Sequence, residues 1–185
     1  MDRVLAPDLN ANNADLRQFA SRGGKLVMYH GFADPLIPSQ TSINYYNALV
    51  ESSSGTVSAK TIAQTQKFAR LFMAPGMWHC KDGPGPNSFG GPIQQQAPSY
   101  DPQYDLMSAL VQWVEKGTAP ASVTATKYNG DLQQGGIVMQ RPLCPYPQFA
   151  KYNGSGNPNL LTSFKCVADD RAKDFNEKPA AIYGP

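Results

Sequence analysis

The reading of this chain turns on Phe68-Ala69-Arg70-Leu71-Phe72-Met73-Ala74-Pro75-Gly76-Met77-Trp78-His79-Cys80. The first six residues form an apolar run of strand length, read as a buried strand. A strand that stops at Pro-Gly and then presents a histidine places an imidazole on a loop at a sheet edge. Imidazole is the side chain best suited to move protons near neutral pH, so His79 is the candidate base. The neighbouring Cys80 has no obvious partner in sequence. The chain has three cysteines, and an odd cysteine in a secreted protein signals either a free thiol or a bond to another chain.

A second apolar run lies upstream. Lys25-Leu26-Val27-Met28-Tyr29 lacks polar alternation, as expected of a parallel strand covered on both faces. It ends in the turn-rich His30-Gly31-Phe32-Ala33-Asp34-Pro35. Before it, residues 1–22 are polar. Asn12 or Asn13 is the expected cap of a short helix through Leu16 and Phe19, broken at Gly23-Gly24. Between the two strands, Ser39 is the expected cap of a helix whose stripe is Ile43, Tyr46, Leu49 and Val50, stopped at Gly55. Thr56 to Gln66 is polar and gives no clear assignment.

After the histidine, Lys81 to Ser99 is dense in Gly, Pro, Asn and Gln and reads as a long surface loop. Loops of that length are uncommon without a function. A helix is expected from Asp101 as cap and Pro102 as first residue to a stop at Gly117, with Leu106, Leu110, Trp113 and Val114 on one face. Ala119 to Pro185 reads as loop and short strands, Val123 to Lys127 among them. Pro142 to Pro147 must be extended, because proline forbids helix there.

Alternating helices and buried strands predict an α/β fold with a parallel sheet. Two or three strands make a poor sheet alone, so the chain reads as the closing half of a larger fold. Composition agrees with a packed domain: 185 residues, 41% hydrophobic and 16% charged. The net charge of +2 comes without a basic run or an acidic tail, which points away from nucleic acid and anionic membranes. No apolar run approaches the roughly 20 residues of a membrane span.

In parallel α/β sheets, sites gather at the carboxyl ends of the strands. Asp34 follows the first strand and His79 the second, which places both on one rim. An acid that orients a histidine is two-thirds of a nucleophilic triad. The G-x-S-x-G elbow that would carry the serine does not occur in the chain. Ser88 and Ser155 lie in glycine-rich loops, but neither sits between a strand and a helix. The plainer readings are that Asp34 before Pro35 is turn chemistry and that His79 is an ordinary loop histidine. A metal site of His30, His79 and Cys80 is disfavoured, since adjacent residues fall outside zinc-ligand spacings.

Four motifs weigh against the plain readings. Gly23-Gly24-Lys25-Leu26 through Tyr29-His30-Gly31-Phe32-Ala33-Asp34-Pro35-Leu36-Ile37-Pro38 resembles the acid-bearing segment of the tannase and feruloyl esterase family. Met77-Trp78-His79-Cys80, followed by Gly83-Pro84-Gly85-Pro86-Asn87-Ser88-Phe89-Gly90, resembles its histidine segment. Trp113-Val114-Glu115-Lys116-Gly117-Thr118-Ala119-Pro120 and Arg141-Pro142-Leu143-Cys144-Pro145-Tyr146-Pro147 are similar to its closing segments. The resemblance runs from about Asp8 to about Val167.

The resemblance implies the carboxyl-terminal half of an α/β-hydrolase fold with an irregular, disulfide-stapled tail. Residues 1–185 would form one portion of a catalytic domain whose lid and nucleophile elbow lie outside this chain. The implied activity is that of a secreted serine carboxylic ester hydrolase of feruloyl or chlorogenate type, with Asp34 as acid and His79 as base. A tannase cleaving galloyl esters and a non-catalytic binding or assembly subunit are the alternatives. The family pattern pairs Cys80 with a cysteine beside the nucleophile serine, so the implied partner is an amino-terminal segment joined through that bond. It also implies a Cys144–Cys166 disulfide, whose loop closure contributes about 3 kcal/mol in the chain-entropy model. His30 and Ile37 are the implied substrate-pocket residues, and a phenolic ester is the implied substrate. No cofactor is expected in this chain, because the family's calcium site belongs to the lid. Asn153-Gly154-Ser155 matches a glycosylation signal.

Overall fold

The computed structural model describes residues 11–90 and 96–168. The polar start at Asp8, residues 91–95 of the long loop and the tail from 169 to 185 lie outside the described residues. Two parallel strands form the centre: β1 (Leu26–Gly31) and β2 (Ala69–Ala74), paired from Leu26↔Ala69 to Gly31↔Ala74. Both follow the apolar runs of the sequence.

The two-residue period of β2 divides the core. Ala69, Leu71 and Met73 pack with Ile43, Tyr46, Leu49, Val50 and Ile62. Phe72 and Ala74 pack with Met77, Phe89, Leu106, Ala109, Val123, Ala125 and Leu143. The strand is therefore covered on both faces. β1 is only half-buried, except at Gly31, because β2 is its one paired strand among the described residues.

Helix α1 (Arg17–Ser21) is capped by Leu16, not by an asparagine side chain. Asn13 instead accepts the Asp15 amide, and Asp15 accepts the Arg17 amide, in turns that precede the helix. Helix α2 (Gln40–Ser54) buries its expected stripe and ends at Gly55 in the left-handed conformation. Ser39 stands at its start, yet its hydroxyl makes no capping bond. The undetermined 56–66 segment contains α3 (Ala59–Thr65), nucleated by a reciprocal capping box between Ser58 and Thr61.

Helix α4 (Leu106–Lys116) starts later than its Asp-Pro signature suggested. Asp105 is the cap and accepts the Ser108 amide at 2.6 Å. Asp101 accepts the Gln103 amide in a preceding turn. The buried stripe is Leu106, Ala109 and Trp113, whereas Val114 is exposed. Gly117 ends the helix as expected. The loop after His79 is not a surface loop throughout, since Asn87, Ser88 and Phe89 are buried. Phe89 meets the Tyr29 ring edge-on at 5.2 Å.

The tail forms two antiparallel pairs. β3 (Val123–Tyr128) pairs with β4 (Ile137–Leu143), and β5 (Phe149–Tyr152) with β6 (Phe164–Val167). The Cys144–Cys166 disulfide joins them across 22 positions. Between β4 and β5, the Tyr146 amide bonds to the Leu71 carbonyl at 2.7 Å, and Phe72 bridges Pro145. This proline-rich piece thus covers the outer edge of β2. Asn153 is exposed, and its side-chain amide donates to the Thr162 carbonyl at 3.1 Å. Among the described residues no helix is long and apolar enough to cross a membrane.

Candidate active site

Parallel pairing carries the ends of β1 and β2 to the same rim. Asp34 stands three positions beyond Gly31, and His79 five beyond Ala74. The two loops then interlock. The Phe32 amide bonds to the Ala74 carbonyl at 2.9 Å, and the Ala33 amide to the Met77 carbonyl at 3.1 Å. Gly31 permits this approach, because a Cβ there would run into the carbonyl oxygens of Met77 and Trp78.

The base loop folds back on itself. The Gly85 amide meets the Gly76 carbonyl at 3.1 Å, and the Trp78 amide meets the Asp82 carbonyl at 3.3 Å. Cys80 and Asp82 hold positive φ angles of 59° and 53°, a conformation that costs energy in residues with a Cβ. Farther along, Ser88 and Thr126 exchange backbone bonds of 2.9 and 2.8 Å, which attaches the loop to β3. Lys127 donates to the Gly83 carbonyl at 2.6 Å and to the Asp131 carboxylate, which also accepts the Asn87 side-chain amide at 2.8 Å.

These constraints bring the two predicted residues together. Nδ1 of His79 lies 2.8 Å from Oδ2 of Asp34. Oδ1 of Asp34 accepts the amides of Leu36 at 2.8 Å and Ile37 at 3.0 Å. The carboxylate is shielded, with its side chain 2% exposed, whereas the imidazole is 44% exposed. Shielding alone would raise the Asp34 pKa. The amides of Ile37 and Leu36, and then the His79 ring, outweigh it and lower the group from its ordinary 3.8 to about 2. Asp34 is therefore an anion that can only accept, so His79 Nδ1–H is the donor between them. The other ring nitrogen, Nε2, is left to exchange a proton with something else.

His30 lies within the same network. Its Nε2 is 3.2 Å from Oδ2 of Asp34 and 3.1 Å from the Ile37 carbonyl, and its Nδ1 is 2.7 Å from Ser42 Oγ. Its side chain is 12% exposed. Ile37 enters through its backbone, and its side chain is exposed. Phe32, Leu36 and Trp78 on the same two loops are exposed too. Sequence reading had no signal for Ser42, which lies twelve positions from His30, or for the Lys127–Asp131–Asn87 tie, which spans 44 positions.

Cys80 is partly buried and has no disulfide partner among the described residues. Burial pushes the Tyr29 phenol up, and the Cys80 sulfur nearby adds to that shift. Among the described residues no three His, Cys, Asp or Glu side chains are grouped to hold a metal ion. A cavity of about 400 Å³ between the base loop and the tail is lined by Pro84, Pro86, Met139, Arg141, Leu143 and Phe164, among others, and not by Asp34, His30 or His79.

The family model for tannase and feruloyl esterase matches residues 2–167. An uncharacterized esterase from Xanthomonas campestris is 39% identical over 95% of this chain and 31% of its own length. A mono(2-hydroxyethyl) terephthalate hydrolase from Piscinibacter sakaiensis is 37% identical over 85% of this chain and 22% of its own length. The crystal structure of feruloyl esterase B from Aspergillus oryzae superposes with a TM-score of 0.72 and 33% identity, covering 84% of this chain and 29% of that one. The chain thus spans less than a third of the length of these relatives.

Proposed function

The chain belongs to the tannase and feruloyl esterase family, and on that premise we propose that it supplies the acid and base of a serine carboxylic ester hydrolase. The observation that carries this reading is the 2.8 Å contact between Asp34 and Nδ1 of His79, on an imidazole whose side chain is 44% exposed. A serine on a segment outside this chain attacks the ester carbonyl. His79 Nε2 takes the serine proton and returns it to the leaving alcohol, and water then releases the acid by the same route. Asp34 stabilises the imidazolium, and backbone amides near the serine hold the oxyanion.

The substrate class is an ester of a plant phenolic acid, of feruloyl or chlorogenate type. The exposed Phe32, Leu36, Ile37 and Trp78 suit an aromatic acyl group. The partner is the serine-bearing segment, disulfide-bonded through Cys80, which would hold the nucleophile loop against the base loop. The Cys144–Cys166 disulfide supports secretion, since such bonds persist in oxidising compartments.

Asp34→Asn in the complete protein tests the mechanism on methyl ferulate. Turnover falls by roughly four decades if the acid fixes the tautomer of the base. A fully active variant removes Asp34 from the reaction. Comparing native material with and without reductant tests the partner: a released chain carrying a serine beside its cysteine is the expected result, and a free Cys80 thiol in the active protein overturns the pairing. The isolated chain is expected not to hydrolyse methyl ferulate.

A further inference from the structure

The geometry points to His30 as a positioning residue that holds the Asp34 carboxylate toward His79, with Ser42 bonded to the ring's other nitrogen; this rests on reading Asp34 and His79 as acid and base. Nε2 of His30 faces two groups. Its two neighbours, Oδ2 of Asp34 at 3.2 Å and the Ile37 carbonyl at 3.1 Å, are both acceptors. With Asp34 ionised, neither can donate, so Nε2 carries the hydrogen. In the neutral ring Nδ1 is then an acceptor, and the Ser42 hydroxyl at 2.7 Å is its donor. Ser42 sits near the start of α2, an element anchored in the core by Ile43 and Tyr46.

A carboxylate has about four acceptor positions, and here each is taken. Two go to the amides of Leu36 and Ile37, one to His30 and one to His79. The two imidazoles share one oxygen, Oδ2. Without His30, the carboxylate is held on the Oδ1 side alone and can turn about its Cβ–Cγ bond. His30 also ties the Ile37 carbonyl while the Ile37 amide binds Asp34, so the acid loop is closed at two points. The side chain therefore acts on the acid, and through it on the tautomer of the base.

The test uses the imidazole nitrogens directly. The chain has two histidines, so its 15N-histidine spectrum contains two ring systems. The expected result is His30 as the neutral Nε2–H tautomer and His79 as the Nδ1–H tautomer. Ser42→Ala should leave His30 as the Nε2–H tautomer, because the two acceptors facing Nε2 remain. His30→Leu should shift the His79 tautomer ratio by about tenfold toward Nε2–H, and His30→Gln, which keeps a donor near Nε2, should restore it to within about threefold. In the complete protein, His30→Leu should lower kcat on methyl ferulate by roughly ten- to a hundredfold with KM little changed, and His30→Gln should recover most of the loss. A His30 ring found as the Nδ1–H tautomer overturns the inference, and so does a folded His30→Leu chain with an unchanged His79 ratio. If His30→Leu does not fold, the wild-type and Ser42→Ala tautomers decide. A complete protein that cleaves no ester removes the esterase reading and leaves these spectra to judge His30 separately.

Discussion

The acid loop and the base loop meet at one hydrogen bond but are built by opposite means. Asp34 is held by its own neighbourhood: the amides two and three positions on, and the imidazole four positions back. Among the described residues His79 has one side-chain hydrogen bond, to Asp34, and its loop is tied from far away, through Gly31 of β1 and through Lys127 and Thr126 of β3. Local bonds make the acid rigid and shielded. Long-range ties place the base while leaving its side chain partly exposed. The difference suits the chemistry, because an orienting anion needs a fixed setting, whereas a proton shuttle needs access to substrate.

Deleting each member in the complete protein should have the largest effects. In triads that act as a unit, loss of the base costs roughly six decades of turnover, and loss of the acid roughly four to five. His79→Ala should therefore be more damaging than Asp34→Ala on methyl ferulate, and equal losses would contradict the assigned roles. Next in size is Gly31→Ala, where the new Cβ pushes against the carbonyls of Met77 and Trp78 and parts the two loops. Misplacement by about 1 Å costs about a hundredfold in turnover. Wild-type kcat in this variant would show that the glycine contact does not set the spacing.

Smaller effects separate the loops by stability. Lys127→Met leaves the Gly83 carbonyl and the Asp131 carboxylate without their shared donor, whose side chain is 14% exposed. The expected loss is about 1.5–3 kcal/mol in urea unfolding, with the His30–Asp34 bonds intact by NMR. The acid loop shows itself in pH. Asp34 is lowered in the fold from 3.8 to about 2, so the unfolded chain binds more protons between those values and stability rises with pH there. Its contribution is fully present above about pH 4 and is lost as pH falls through about 2. Measuring the urea midpoint from pH 2 to 5 should show that slope reduced in Asp34→Asn, and an unchanged slope would assign it to other carboxylates.

Legibility followed the range of the contacts. The continuous apolar runs 25–29 and 68–73 marked both strands, and the α2 stripe was buried as its spacing required. The α3 helix went unread because its capping box uses Thr61 where glutamate or glutamine is the usual signal. The Asp101-Pro102 pair signalled a helix start and instead made a turn, since Asp105 is the residue whose carboxylate meets the Ser108 amide. Asn87 to Phe89 looked like surface because their composition is that of a loop. They are buried because Thr126 pairs with Ser88 and Tyr29 receives Phe89.

From residue order alone came the alternation of helix and strand, the placing of Asp34 and His79 after successive parallel strands, and hence their shared rim. These follow from periodicity and from the handedness of parallel connections, which neighbouring residues encode. The fold alone decided that His30 shares the oxygen bound by His79, that Ser42 meets its other nitrogen, and that Lys127 reaches the base loop. Such contacts join positions from four to 44 apart through angles that no pattern in the chain records.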